Sequence, residues 1–174
     1  MNRTTRPFVI LAALALLASG CGGSGKTAAT TTTSDAKPAS RQTSEAALKV
    51  AVRTAIRADH QLSLYVLWHN EVPKWATQST RGPALKALRS AAATRRRQGI
   101  QIKNLVDSYT VSAITLDPSY TSATAVIRSH QRVAPFEHGH RLGRAIVADD
   151  HARFELHRLA NTDRFVVWRL TPIR

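Results

Sequence analysis

The chain is 174 residues long, with 25 Lys plus Arg against 11 Asp plus Glu and a single Cys. Its formal net charge of +14 favours anionic partners, and one cysteine leaves no intramolecular disulfide. After the N-terminal segments, a stretch of about 130 residues suits one domain with its own core.

Residues 1–27 support two incompatible readings. Gly20-Cys21-Gly22-Gly23-Ser24-Gly25-Lys26-Thr27 satisfies the phosphate-binding pattern G-x-x-x-x-G-K-[ST] at every fixed position. That chemistry needs a buried strand before the glycines and a helix after them, whose first N–H groups cradle the phosphates. Neither flank qualifies. Residues 8–18 are a continuous apolar run of mainly Leu and Ala, too long for a typical buried strand. Residues 27–40 are rich in Thr, Ala and Ser, contain Pro38, and have no apolar stripe. Ala145-Ile146-Val147-Ala148-Asp149-Asp150 looks like a magnesium-binding strand end, but Asp-Asp is also a turn signal.

An export signal accounts for every part of the same stretch. Arg3 and Arg6 form its positive region, and residues 8–18 form an apolar core too short for an ordinary spanning helix. Ala18-Ser19-Gly20 supplies small residues before Cys21. This end resembles the bacterial lipobox, with Ala18 where that pattern favours Leu. The resemblance implies cleavage before Cys21, fatty acylation (palmitate) at Cys21, and a lipoprotein on the outer face of the cell membrane. Cleavage there would also cut the apparent phosphate loop apart. The expected organisation is a signal peptide over 1–20, lipidated Cys21 with a flexible Ser/Thr/Ala linker over 21–42, and a folded domain over 43–174. As a coil of about 20 residues, the linker reaches roughly 25 Å.

Thr43 is the expected cap of a first helix, with Glu45 favourable in its first turn. Leu48, Val52, Ile56, Asp59, Leu62 and Val66 recur at helical spacing, which predicts a helix to about residue 68. Gly82-Pro83 starts a second helix, with Leu85, Leu88 and Ala92 on one face. Gly99 ends it after Arg95, Arg96 and Arg97, cations suited to the negative end of the dipole. Strands are predicted over 103–116, 120–133, 144–159 and 164–171, with a looser connection over 135–143 and a bulge at Asp149-Asp150. Alternation of Tyr109, Val111, Ala113, Ala123, Ala125, Ile127, Phe154, Leu156, Phe165 and Val167 with polar neighbours predicts one buried face of an antiparallel meander.

Two helices followed by four long strands resemble the NTF2-like superfamily, in which a curved sheet forms a cone around helices. The runs 108–125 and 165–170 are similar to extracytoplasmic members from high-GC Gram-positive bacteria. The resemblance implies an α+β fold with the two N-terminal helices packed on a curved four-stranded antiparallel sheet. It does not imply one activity, because this fold hosts enzymes, ligand binders and interaction modules.

Enzymes of that superfamily, such as ketosteroid isomerase and scytalone dehydratase, place Asp, His and Tyr inside the cone. Asp59, His60, Tyr65, His69 and Tyr109 are the residues here that could serve. Asp59 falls on the apolar stripe of the first helix, where an unpaired carboxylate is costly and needs an arginine, a hydrogen-bond partner or a raised pKa. An ion pair with an arginine at the edge of the core is the expected resolution. Glu137, His138 and His140 have ligand chemistry but no further ligand at a telling spacing, so a solvated loop is expected and no metal or cofactor is implied.

Arg outnumbers Lys 19 to 6, and Arg grips phosphate and carboxylate in a bidentate fork. Nucleic acid is the usual partner of such a balance, but an exported chain meets lipid head groups and wall polymers instead. Arg95, Arg96 and Arg97 are the densest patch and the expected anion-binding site. An arginine-rich genome composition explains the same count without any partner. The expected function is a non-catalytic binding or scaffolding role at the cell envelope. The alternative is a small-molecule enzyme or ligand carrier of the isomerase or dehydratase kind. An open cavity with convergent polar groups would favour the enzyme.

Overall fold

The apolar stripe read from the sequence is the spine of helix α1 (Glu45–His69), which buries Leu48, Val52, Ala55, Ile56, Asp59, Leu62 and Val66 along one face. The computed structural model describes residues 43–173, which lie within one compact unit, Arg41–Arg174. The signal, linker, Cys21 and Lys26 readings fall outside those residues. Each large aliphatic side chain that α1 removes from water contributes about 1.5–3 kcal/mol. The cap is Ser44 rather than Thr43. Its hydroxyl accepts from the Ala47 N–H, three residues on, while the Thr43 hydroxyl donates to Asp163 at 2.8 Å. At the other end Asn70 takes the left-handed conformation (φ 53°), and its N–H donates to the Val66 carbonyl.

A short 3-10 turn (Lys74–Gln78) leads to helix α2 (Gly82–Gln98), which carries Pro83 in its first turn and closes on Gly99 at φ 69°. Gly82 has φ +55°, and a Cβ there would stand 2.7 Å from the Trp168 ring. Glycine is required at this position on both counts.

The chain then forms β1 (Ile100–Leu116), β2 (Ser122–Glu137), the two-residue β3 (His140–Arg141), β4 (Ile146–Arg158) and β5 (Phe165–Pro172). All pair antiparallel in the order β1-β2-β4-β5, with β3 added beside β2. The curved sheet packs one face against the helices. The far side of β5 is closed by a parallel bridge to Thr80, in which Val167 exchanges hydrogen bonds of 2.8 Å with Ser79 and Arg81. At the β1–β2 turn, the Asp117 carboxylate accepts from Ser119 and from the Ser122 N–H, and these bonds hold its pKa down to about 2.

The fold departs from the sequence reading at the strand ends. β1 begins at Ile100, and β2 runs to Glu137, so part of the expected loose connection is strand and includes β3. Pairing is regular through Asp149 and Asp150, and the β4–β5 irregularity lies on β5, where Trp168 is the extra residue between the partners of Glu155 and Leu156. A second register shift between Val111 and Ala113 turns Ala113 outward and returns Ile114 and Leu116 to the core side. Sequence alternation cannot register a bulge, because an extra residue leaves no compositional mark.

Candidate functional site

The space between helices and sheet is filled. Leu48, Val52 and Ile56 of α1 meet Ala123, Ala125 and Ile127 of β2, Leu156 of β4 and Phe165 and Val167 of β5 in one buried cluster. Leu62, Val66, Ala76, Leu85 and Ala92 form a second cluster between the two helices and the 3-10 turn.

The polar residues singled out from the sequence pair off rather than forming one cluster. Asp59 is 4% exposed, but its partner is a hydroxyl and not an arginine. Thr80 Oγ1 donates to Asp59 Oδ1, which ties α1 to the segment bridging β5. Desolvation raises the Asp59 pKa to about 6, against smaller lowering effects of the Thr80 bond and of His60. Tyr65 and His69, one helical turn apart, stack on each other at 4.2 Å, and Tyr65 meets Trp75 edge-on at 6.0 Å. Tyr109 sits on β1 against the core, 4.7 Å from the His60 ring.

One pairing escaped the sequence reading. His60 Nε2 lies 2.5 Å from Asp107 Oδ2, with the side chains 18% and 25% exposed. The two residues are 47 apart in sequence, and only the packing of α1 along β1 joins them. The adjacent cross-strand row is Tyr109, Ser129 and Asp150. Its residues also border an open depression of about 440 Å³, whose two flanking rows point their side chains to the opposite sheet face. The flanking rows are Ser108–His130–Asp149 and Thr110–Arg128–His151.

Arg95, Arg96 and Arg97 are split by the helix. Arg95 donates to the Asn70 side chain at 3.0 Å and to the Val66 carbonyl at 3.3 Å. Arg96 donates to the Asn70 carbonyl at 2.8 Å. These two cap the C-terminal end of α1, and burial lowers the pKa of Arg95. Among the described residues, Arg97 reaches Thr94 of its own helix, at 3.3 Å. Around Gly139 the His138–His140 segment is exposed and turns the chain between β2 and β3. Among the described residues no three His, Cys, Asp or Glu gather as a metal would require.

No family model matches the chain, and no curated protein matches it. Among solved structures, the intermembrane space region of the chloroplast protein ARC6 is similar, with a TM-score of 0.61 at 11% identity. The match covers 71% of this chain and 95% of that one. A conserved protein from Planctomyces limnophilus gives a TM-score of 0.46 at 18% identity, covering 71% and 99% of the two chains. A protein from Catenulispora acidiphila gives 0.43 at 13%, covering 71% and 93%. At 11% identity the first likeness shows a shared fold and nothing about activity.

Proposed function

We propose that this chain is a lipid-anchored envelope protein, tethered through Cys21 outside the cell membrane, whose NTF2-like domain binds or scaffolds without catalysis. The observation that carries the non-catalytic part is the filled interior. An enzyme of the cone type needs an open cavity with convergent polar groups inside the cone, whereas the open polar depression is flanked by sheet rows that face away from the helices. Here apolar side chains occupy the space between helices and sheet, Asp59 accepts from Thr80, and the Tyr65 and His69 rings stack on each other. The tether is supported by the positive region, apolar run and lipobox-like end of residues 1–21. The test replaces Cys21 with Ser and follows fractionation and mature mass. A diacylglyceryl-modified N-terminal peptide is expected in the parent and soluble release in the variant. Equal membrane retention of both forms, with no lipid on either, refutes the tether.

The second reading is a small-molecule enzyme or carrier, favoured by the partly shielded His60–Asp107 pair beside Tyr109. Asp107 can orient the imidazole and leave its other nitrogen for proton transfer. A saturable ligand lost in both His60→Gln and Tyr109→Phe, with folding intact, would establish this reading over the first.

A further inference from the structure

We propose that the sheet face turned away from the helices is a docking surface for an anionic lipid bilayer. This rests on the tethered reading above and names the partner of that domain. Ala125 and Ile127 point into the helix-side core, so Arg128, His130 and Arg132, which alternate with residues of that side, face outward. Cross-strand partners share a face. The register therefore lays out successive outward rows: Val106–Arg132–Val147, Ser108–His130–Asp149 and Thr110–Arg128–His151. Arg153, two residues beyond His151 on β4, extends the same face.

Two features select a bilayer. The first is free cationic charge. His130 engages Asp149 at 2.6 Å, and Arg169 lies 3.8 Å from Glu155. Arg128, Arg132 and Arg153 make no ion pair among the described residues, so their guanidinium forks are available to phosphate oxygens. The second is apolar exposure in register with that charge. Val106 and Val147 flank Arg132 and are 49% and 56% exposed, and Leu105, at the adjoining bulge, is 42% exposed. Scattered exposed aliphatics need no explanation, but two aligned about an unpaired arginine match interfacial binding. The arginines meet head groups and the valines enter the head-group boundary. A dissolved polyanion would use the arginines and leave the valines in water.

The experiment uses residues 41–174, whose core is complete within that unit. Because this piece lacks Cys21, its binding reads the sheet face independently of the anchor, and the Cys21→Ser fractionation tests the anchor separately. Binding to phosphatidylglycerol–phosphatidylcholine vesicles is compared at low and physiological salt. The triple variant R128Q/R132Q/R153Q should weaken binding on the order of a hundredfold, since each basic residue at an anionic surface contributes about one kcal/mol. The helix-face triple R53Q/R57Q/R89Q removes the same charge and should change affinity by far less. V106S/V147S should reduce the binding that survives physiological salt. Circular dichroism and thermal midpoints establish that each variant is folded. Equal losses in the two triples would reduce the effect to net charge and overturn the proposal. Absence of binding to anionic vesicles, or capture by dissolved polyphosphate with none by vesicles, would overturn it equally.

Discussion

Asp59 carries the largest electrostatic tension in the described residues. Its side chain is buried, its partner is a neutral hydroxyl, and the fold raises its pKa from 3.8 to about 6. The folded state therefore favours the protonated acid. That contribution is complete below pH 3.8 and is lost as pH rises through about 6. Above this window the buried carboxylate costs on the order of 3 kcal/mol. Asp59→Asn keeps an acceptor for Thr80 and carries no charge. Urea unfolding at pH 4 and pH 8 should show the parent weakening with pH at this site and the variant holding level. A parent no less stable at pH 8, or a variant with the same pH slope, would contradict the assignment. The apolar stripe announced that Asp59 would be buried. Its partner was not legible, because Thr80 comes from a segment with no periodicity of its own.

At the scale of elements, β4 tests the register. Leu156 is fully buried and Phe154 packs partly against the same cluster, while Arg153 is exposed. Leu156→Ala should cost about 2–5 kcal/mol, and Arg153→Ala should fall within about 0.5 kcal/mol of the parent. The reverse order in thermal or denaturant unfolding would indicate a one-residue slip, which exchanges the faces. The α1–α2 junction makes a second test. Arg95 satisfies the Val66 carbonyl and the Asn70 side chain, whose amide in turn donates to Ile100 at 2.6 Å. Arg95→Gln should cost about 1.5–3 kcal/mol, the range for hydrogen bonds to charged groups. Arg97→Gln should be nearly silent. Comparable losses in the two would mean that the capping contacts carry no stability. The run of three arginines looked uniform in sequence, and helical rotation of about 100° per residue assigns them different tasks.

For the whole molecule, the likeness to the ARC6 region establishes an α+β architecture at an identity too low to carry function. The basic charge is spread over helices and sheet, so net charge alone points to no particular surface. The phosphate-loop pattern at Gly20–Thr27 has sequence flanks unlike the strand and helix that such a loop needs. Lys26→Ala should therefore leave the thermal midpoint unchanged and reveal no nucleotide site. Magnesium-dependent ATP or GTP binding that disappears in this variant would overturn the export reading.

Sequence alone determined the helices of this protein, the end of the second at Gly99, the antiparallel order of the long strands, and the apolar face of β2. These follow from local periodicity and from the few residues that tolerate a left-handed backbone. Tertiary structure alone decided the bulges at Leu105 and Ser112, the His60–Asp107 pair, the Asp59–Thr80 bond and the capping task of Arg95. Each of these except the bulges joins groups from separate elements, and the bulges depend on pairing with β2. Such contacts are set by how elements twist and pack, to which no local pattern of residue types is sensitive.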